Sequence, residues 1–150
     1  MSVKPLDPNL NDMADSDSRD GAFETYAAAD EKVVVVVDDE PAMLCIMEAA
    51  LLSAGYRVIA ATDGLSALDA ASKSRVDLLV VDFLMPKMNG AETTHAIWKL
   101  CPGLPVLMVS GLPMEEVRAA APPAVNFMQK PFEIWRFLER AQALVQEKQG

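Results

Sequence analysis

The chain has 150 residues, 51% of them hydrophobic, and a formal net charge of −9. That length suits one ordinary domain with a sizeable core, and an acidic balance with no basic stripe speaks against direct nucleic-acid binding. Cys45 and Cys101 stand in no C-x-x-C spacing, which indicates neither a disulfide framework nor a zinc site, and no apolar run is long enough to span a bilayer.

Residues 1–31 are rich in Asp, Asn, Ser and Ala and lack the apolar stretch of a signal peptide. They read as a disordered acidic tail, and the chain as a cytoplasmic protein with reduced thiols. A folded domain is expected over residues 32–150. VVVVV (33–37) is the first strand, and PAMLCIMEAALLSAG (41–55) the first helix, with Pro41 in its first turn and Gly55 at its stop. YRVIAA (56–61) is the second strand, after which Asp63 caps a second helix over 64–74. DLLVVDFLMP (77–86) carries the third strand and GAETTHAIWKLC (90–101) the third helix. PVLMVSG (105–111) is the fourth strand, PMEEVRAAA (113–121) a short fourth helix stopped by Pro122 and Pro123, VNFMQKPF (125–132) the fifth strand, and 133–149 the last helix.

Five strands alternating with five helices predict an α/β domain around a parallel sheet with right-handed connections. Strands 1, 3 and 4 are apolar at successive positions, as central parallel strands are; strands 2 and 5 are mixed and fit the edges. In the last helix, Ile134, Phe137, Leu138, Ala141, Leu144 and Val145 repeat at helical spacing and are expected in the core. Trp135 falls off that stripe and is expected as a packed rim residue, with an exposed self- or partner-contact as the alternative. His95, on the third helix, is expected at the surface.

In open α/β sheets, sites form beyond the carboxyl ends of the strands. Strand 1 ends on Asp38 and Asp39, strand 3 on Asp82, strand 4 on Ser110 and strand 5 on Lys130. Two carboxylates about 4 Å apart repel by roughly 4 kcal/mol at an effective dielectric near 20, so three of them need counter-charge. Lys130 supplies one unit and a divalent cation would supply the rest. All-oxygen ligation suits Mg²⁺ rather than zinc. Lys130 and Ser110 are suited to hold a tetrahedral anion beside it, and the set together points to an aspartyl phosphate.

In this order and spacing, VVVVVDDEP, DLLVVDFLMPKMNG, PVLMVSG and FMQKPF resemble the receiver domains of two-component response regulators, over residues 33–146. The resemblance implies a flavodoxin-like (βα)5 doubly wound sheet with strand order 2-1-3-4-5, an arrangement known from this family. It implies Asp82 as phosphoacceptor, Asp39, Asp82 and the backbone carbonyl of Leu84 as Mg²⁺ ligands, and Asp38 acting through a metal-bound water. Lys130 and Ser110 would bind the phosphoryl oxygens, Ser110 and Phe127 would form the switch, and Lys130-Pro131 would be cis. Ser110 stands where Thr is more usual and Phe127 where Tyr is common. The implied partner is a histidine kinase or histidine phosphotransfer protein, docking on Glu40, Met43, Ile46, Pro131 and Phe132. The fourth helix, fifth strand and fifth helix would form a two-state surface, with a homodimer through it as one use. Only twenty residues follow Lys130, so the expectation is a stand-alone receiver without a DNA-binding output domain, signalling by docking or phosphorelay and catalysing only its own phosphorylation and dephosphorylation. A receiver-like binding module that is never phosphorylated and a detached receiver of a hybrid histidine kinase are the alternatives. A haloacid-dehalogenase-type phosphatase would need D-x-D, and Asp82-Phe83-Leu84 lacks the second Asp.

Overall fold

A computed structural model describes residues 31–149. The expected acidic tail, apart from Glu31, lies outside the described residues. Five strands alternate with five helices in the order β1 (Val33–Val37), α1 (Pro41–Ser53), β2 (Arg57–Ala61), α2 (Gly64–Lys73), β3 (Leu78–Asp82), α3 (Gly90–Leu100), β4 (Val106–Ser110), α4 (Met114–Ala120), β5 (Asn126–Gln129) and α5 (Ile134–Gln149). The strands form one parallel sheet in the order β2-β1-β3-β4-β5.

The run of valines in β1 is explained by the two faces of that sheet. Successive side chains of a strand point to opposite faces. Val34 and Val36 enter one core with Leu78, Val80, Leu107 and Val109, covered by Leu44, Met47 and Leu51 of α1 and Phe137, Ala141, Leu144 and Val145 of α5. Val35 and Val37 enter the other with Leu79, Val81, Val106 and Met108, covered by Ala67 and Ala71 of α2, Ile97 of α3 and Val117 of α4. Every residue of β1, β3 and β4 is buried, whereas the edge strands β2 and β5 are mixed. A centre of near-continuous apolar strands is what helices on both faces require.

Local signals stop and start the helices. At the end of α1, Gly55 has φ +96, which a side chain would strain. Its N–H donates to the Leu52 carbonyl and that of Tyr56 to the Leu51 carbonyl, the paired bonds of a Schellman stop. Asp63 caps α2 by accepting from the Ser66 N–H at 2.8 Å. Asn89 and Glu92 form a reciprocal capping box at the start of α3. That box is written in the sequence as Asn followed three residues later by Glu, a signal the strand-and-helix reading passed over.

Two expectations for α5 need correction. Ile134 is 39% exposed rather than core, because it sits at the very first turn, before the helix settles onto the sheet. Trp135 is 56% exposed rather than a packed rim residue, with the Arg136 guanidinium carbon 5.2 Å from its ring centroid. Phe137, Ala141, Leu144 and Val145 are buried as their spacing predicts, and Leu138 packs against them partly buried. His95 is exposed, as expected.

Candidate functional site

The strand register brings the chemistry to one edge. Val37 pairs with Val81, so Asp38 and Asp82 are the next residues on adjacent strands. Asp82 pairs with Val109, and Ser110 with Gln129, so Ser110 and Lys130 continue the same row. Backbone bonds carry the alignment past the strands: Phe83 N–H donates to the Val109 carbonyl and Lys130 N–H to the Ser110 carbonyl, each at 2.8 Å.

One carboxylate oxygen from each of Asp38, Asp39 and Asp82 falls in a group within 4.8 Å of one another. Asp38 is fully buried, Asp82 nearly so, and Asp39 is exposed. Lys130 Nζ lies 3.0 Å from Asp38 Oδ2 and 3.5 Å from Asp82 Oδ1. The other oxygen of Asp38 accepts the Glu40 N–H at 2.9 Å. Thus both Asp38 oxygens are engaged, and the lysine sits closer to Asp38 than to Asp82.

The charges do not balance: one ammonium faces three carboxylates. The consequence appears at Asp82. Burial, and then the neighbouring Asp38 charge, push its pKa up to about 6, against the opposing pull of Lys130. Burial alone would lower the Lys130 pKa, but its bonds to Asp38 and Asp82 outweigh that and hold the ammonium above its ordinary value. An excess of negative charge on clustered hard oxygen donors fits a divalent cation of the Mg²⁺ or Ca²⁺ kind.

The other predicted residues take these places. Ser110 is buried, and its Oγ accepts the Leu112 N–H at 3.1 Å. Leu84 follows Asp82 with its side chain exposed. Lys130-Pro131 is cis, as expected. Phe127 is half-buried on β5, packed against the core on the α2–α4 face. Among the expected docking residues, Glu40, Ile46 and Pro131 are exposed, whereas Met43 and Phe132 are half-buried against the α1–α5 core. The Phe132 ring stacks on Phe137 with centroids 5.5 Å apart.

Three supporting residues went unread in the sequence. Gly90 lies so close beneath the site that a Cβ there would meet the Asp82 carbonyl oxygen at 2.7 Å and the Phe83 Cα at 2.8 Å. Its N–H also donates to the Phe83 carbonyl. Arg118 on α4 places its guanidinium carbon 5.3 Å from the Phe127 ring centroid. Gln129 donates from Nε2 to the Leu112 carbonyl at 3.3 Å. Only the Asn89-Gly90 pair carried any sequence signal, that of a turn.

The family model described as the response regulator receiver domain matches residues 34–142. The chain is 37% identical over 114 residues to the probable transcriptional regulatory protein TcrX of Mycobacterium tuberculosis, covering 75% of this chain and 49% of that protein. It is 31% identical over 120 residues to the alkaline phosphatase synthesis transcriptional regulatory protein PhoP of Bacillus subtilis, covering 79% of this chain and 50% of that one. The chain therefore spans about half the length of these curated relatives. Among solved structures, the chemotaxis protein CheY4 of Vibrio cholerae aligns with a TM-score of 0.69 at 30% identity, covering 76% of this chain and 98% of that one. A receiver protein from Sinorhizobium medicae aligns with a TM-score of 0.74 at 22% identity, covering 80% and 98%, a likeness of fold alone.

Proposed function

The chain belongs to the response regulator receiver family, and from that premise we propose that it accepts a phosphoryl group on Asp82 from the phosphohistidine of a kinase or phosphotransfer protein. The observation that carries the proposal is the placement of Lys130, 3.0 Å from Asp38 and 3.5 Å from Asp82, inside a cluster of three carboxylates.

The step is a phosphoryl transfer. An Asp82 carboxylate oxygen forms the new bond to phosphorus while the donor's nitrogen–phosphorus bond breaks, and the donor's imidazole leaves with the electron pair. With its pKa raised to about 6, Asp82 is ionised at neutral pH and remains a competent nucleophile. Lys130 moves its charge from Asp38 and Asp82 onto a phosphoryl oxygen, and the Ser110 hydroxyl, whose Oγ accepts the Leu112 N–H, donates its own O–H to another. Asp39, Asp82 and the backbone carbonyl of Leu84 would hold Mg²⁺, with Asp38 acting through a water; when bound, the ion neutralises the excess charge of pocket and phosphoryl group. Positioning and charge stabilisation supply most of the catalysis in such transfers.

After transfer, Ser110 moves toward the phosphoryl group and Phe127 takes up the space it leaves, which biases the surface of α4, β5 and α5. We read the output as protein docking or onward phosphate transfer in the cytoplasm, without turnover of a free substrate. Exposed Ile46, with Glu40 and Pro131 beside the site, forms the docking surface for the donor. Among the described residues, no helix is long and apolar enough to cross a membrane. The test is labelling with acetyl phosphate and Mg²⁺. Wild-type protein should be labelled, with Asp82→Asn and EDTA-treated samples blank; equal labelling of Asp82→Asn would remove Asp82 from its role.

A further inference from the structure

The helix α4 is lightly held. It has seven residues, follows Pro113 as an N-cap that offers no side-chain hydrogen bond, and buries only Val117 fully. Among the described residues it sends no side-chain hydrogen bond or ion pair to another element. Its one side-chain tie of electrostatic kind is Arg118, whose guanidinium carbon lies 5.3 Å from the Phe127 ring centroid. A cation within about 6 Å of a ring face is attracted by the ring's quadrupole. Phe127 has no hydroxyl, so a cation over its face is the polar hold open to it. The loop entering α4 is tied to the same place. Leu112 donates its N–H to Ser110 Oγ and accepts from Gln129 on β5.

Building on the reading of Ser110 and Phe127 as the responding pair, we propose that Arg118 is a latch that holds Phe127 in its half-buried place at the edge of the core while Asp82 is unphosphorylated. The physical reason is differential binding to two states. Arg118 is exposed on α4. It cannot follow the ring toward the Ser110 side without burying its own charge, which is costly. The attraction therefore exists only with Phe127 in this half-buried place, and it opposes the phosphorylated arrangement. An exposed contact of this kind shifts a two-state equilibrium about two- to fivefold.

The experiment is a binding cycle on the full chain with beryllium fluoride and Mg²⁺, a phosphoryl mimic, read by calorimetry. It compares wild type, Arg118→Ala, Arg118→Lys, Phe127→Leu and the Arg118→Ala/Phe127→Leu double variant, with Asp82→Asn as control. Arg118→Ala should bind about two- to fivefold more tightly than wild type, and Arg118→Lys, which keeps a cation, should lie nearer to wild type. On the Phe127→Leu background, Arg118→Ala should change nothing. Unchanged or weaker binding by Arg118→Ala, or an equal gain on both backgrounds, overturns the latch while leaving Asp82 in its role. If wild type fails to bind the mimic, or Asp82→Asn binds it equally well, the reading of Asp82 falls and the latch falls with it.

Discussion

Asp82 lies 3.5 Å from the Lys130 ammonium, yet its pKa is raised to about 6, because burial and Asp38 together outweigh that cation. The sign of the consequence follows by linkage. A carboxyl with a higher pKa folded than unfolded binds protons more tightly in the native state, so its contribution to stability falls as pH rises from its ordinary range to about 6. Above that pH the whole cost is present; toward pH 4 it disappears. Removing the charge with Asp82→Asn should therefore stabilise the metal-free protein at pH 7.5 by roughly 1–2 kcal/mol, allowing for screening by solvent. The gain should vanish near pH 4 in urea titrations with EDTA. Lys130 answers to the opposite logic. Truncating it leaves the fully buried Asp38 carboxylate without its counter-charge. Lys130→Ala should cost about 3 kcal/mol without divalent cation, and added Mg²⁺ should recover part of that loss.

Among the elements, α3 meets the site through Gly90, whose missing Cβ admits the backbone of Asp82 and Phe83. Gly90→Ala should cost about 1–3 kcal/mol through overpacking against backbone that cannot move aside cheaply, and should slow labelling of Asp82 by displacing it. The helix α1 divides its apolar residues more sharply than its sequence suggests. Leu44, Met47 and Leu51 are buried, Met43 is half-buried, and Ile46 is 50% exposed. Ile46→Glu should slow phosphotransfer from a histidine-phosphorylated protein about tenfold while leaving labelling by acetyl phosphate unchanged, since only the protein donor needs the surface. A helix apolar nearly all round, as α1 is but for Glu48, gives periodicity little to work with. The outward place of Ile46 agrees with its reading from the sequence as a docking residue, whereas the exposure of Ile134 at the first turn of α5 became visible only with the fold.

For the molecule as a whole, the architecture was legible because a doubly wound sheet forces its own pattern: central strands buried on both faces, polar groups released at their carboxyl ends. VVVVVDD states that pattern in seven residues, and the chain carries it again as LLVVD and VLMVS. The convergence of Asp38, Asp39, Asp82, Ser110 and Lys130 could be read from those endings, since parallel register aligns them. The preference of Lys130 for Asp38, the Leu112 amide on Ser110, and Arg118 over Phe127 could not. Each depends on distances between elements remote in sequence, which no local spacing encodes. The central claim is that one carboxylate among three, Asp82, takes the phosphoryl group. The most direct measurement transfers phosphate from a histidine-phosphorylated donor to the wild-type chain, traps the acyl phosphate by borohydride reduction and locates it by peptide mass spectrometry. Modification at Asp82 alone is the predicted result; modification at Asp38 or Asp39, or no modified aspartate, would contradict it.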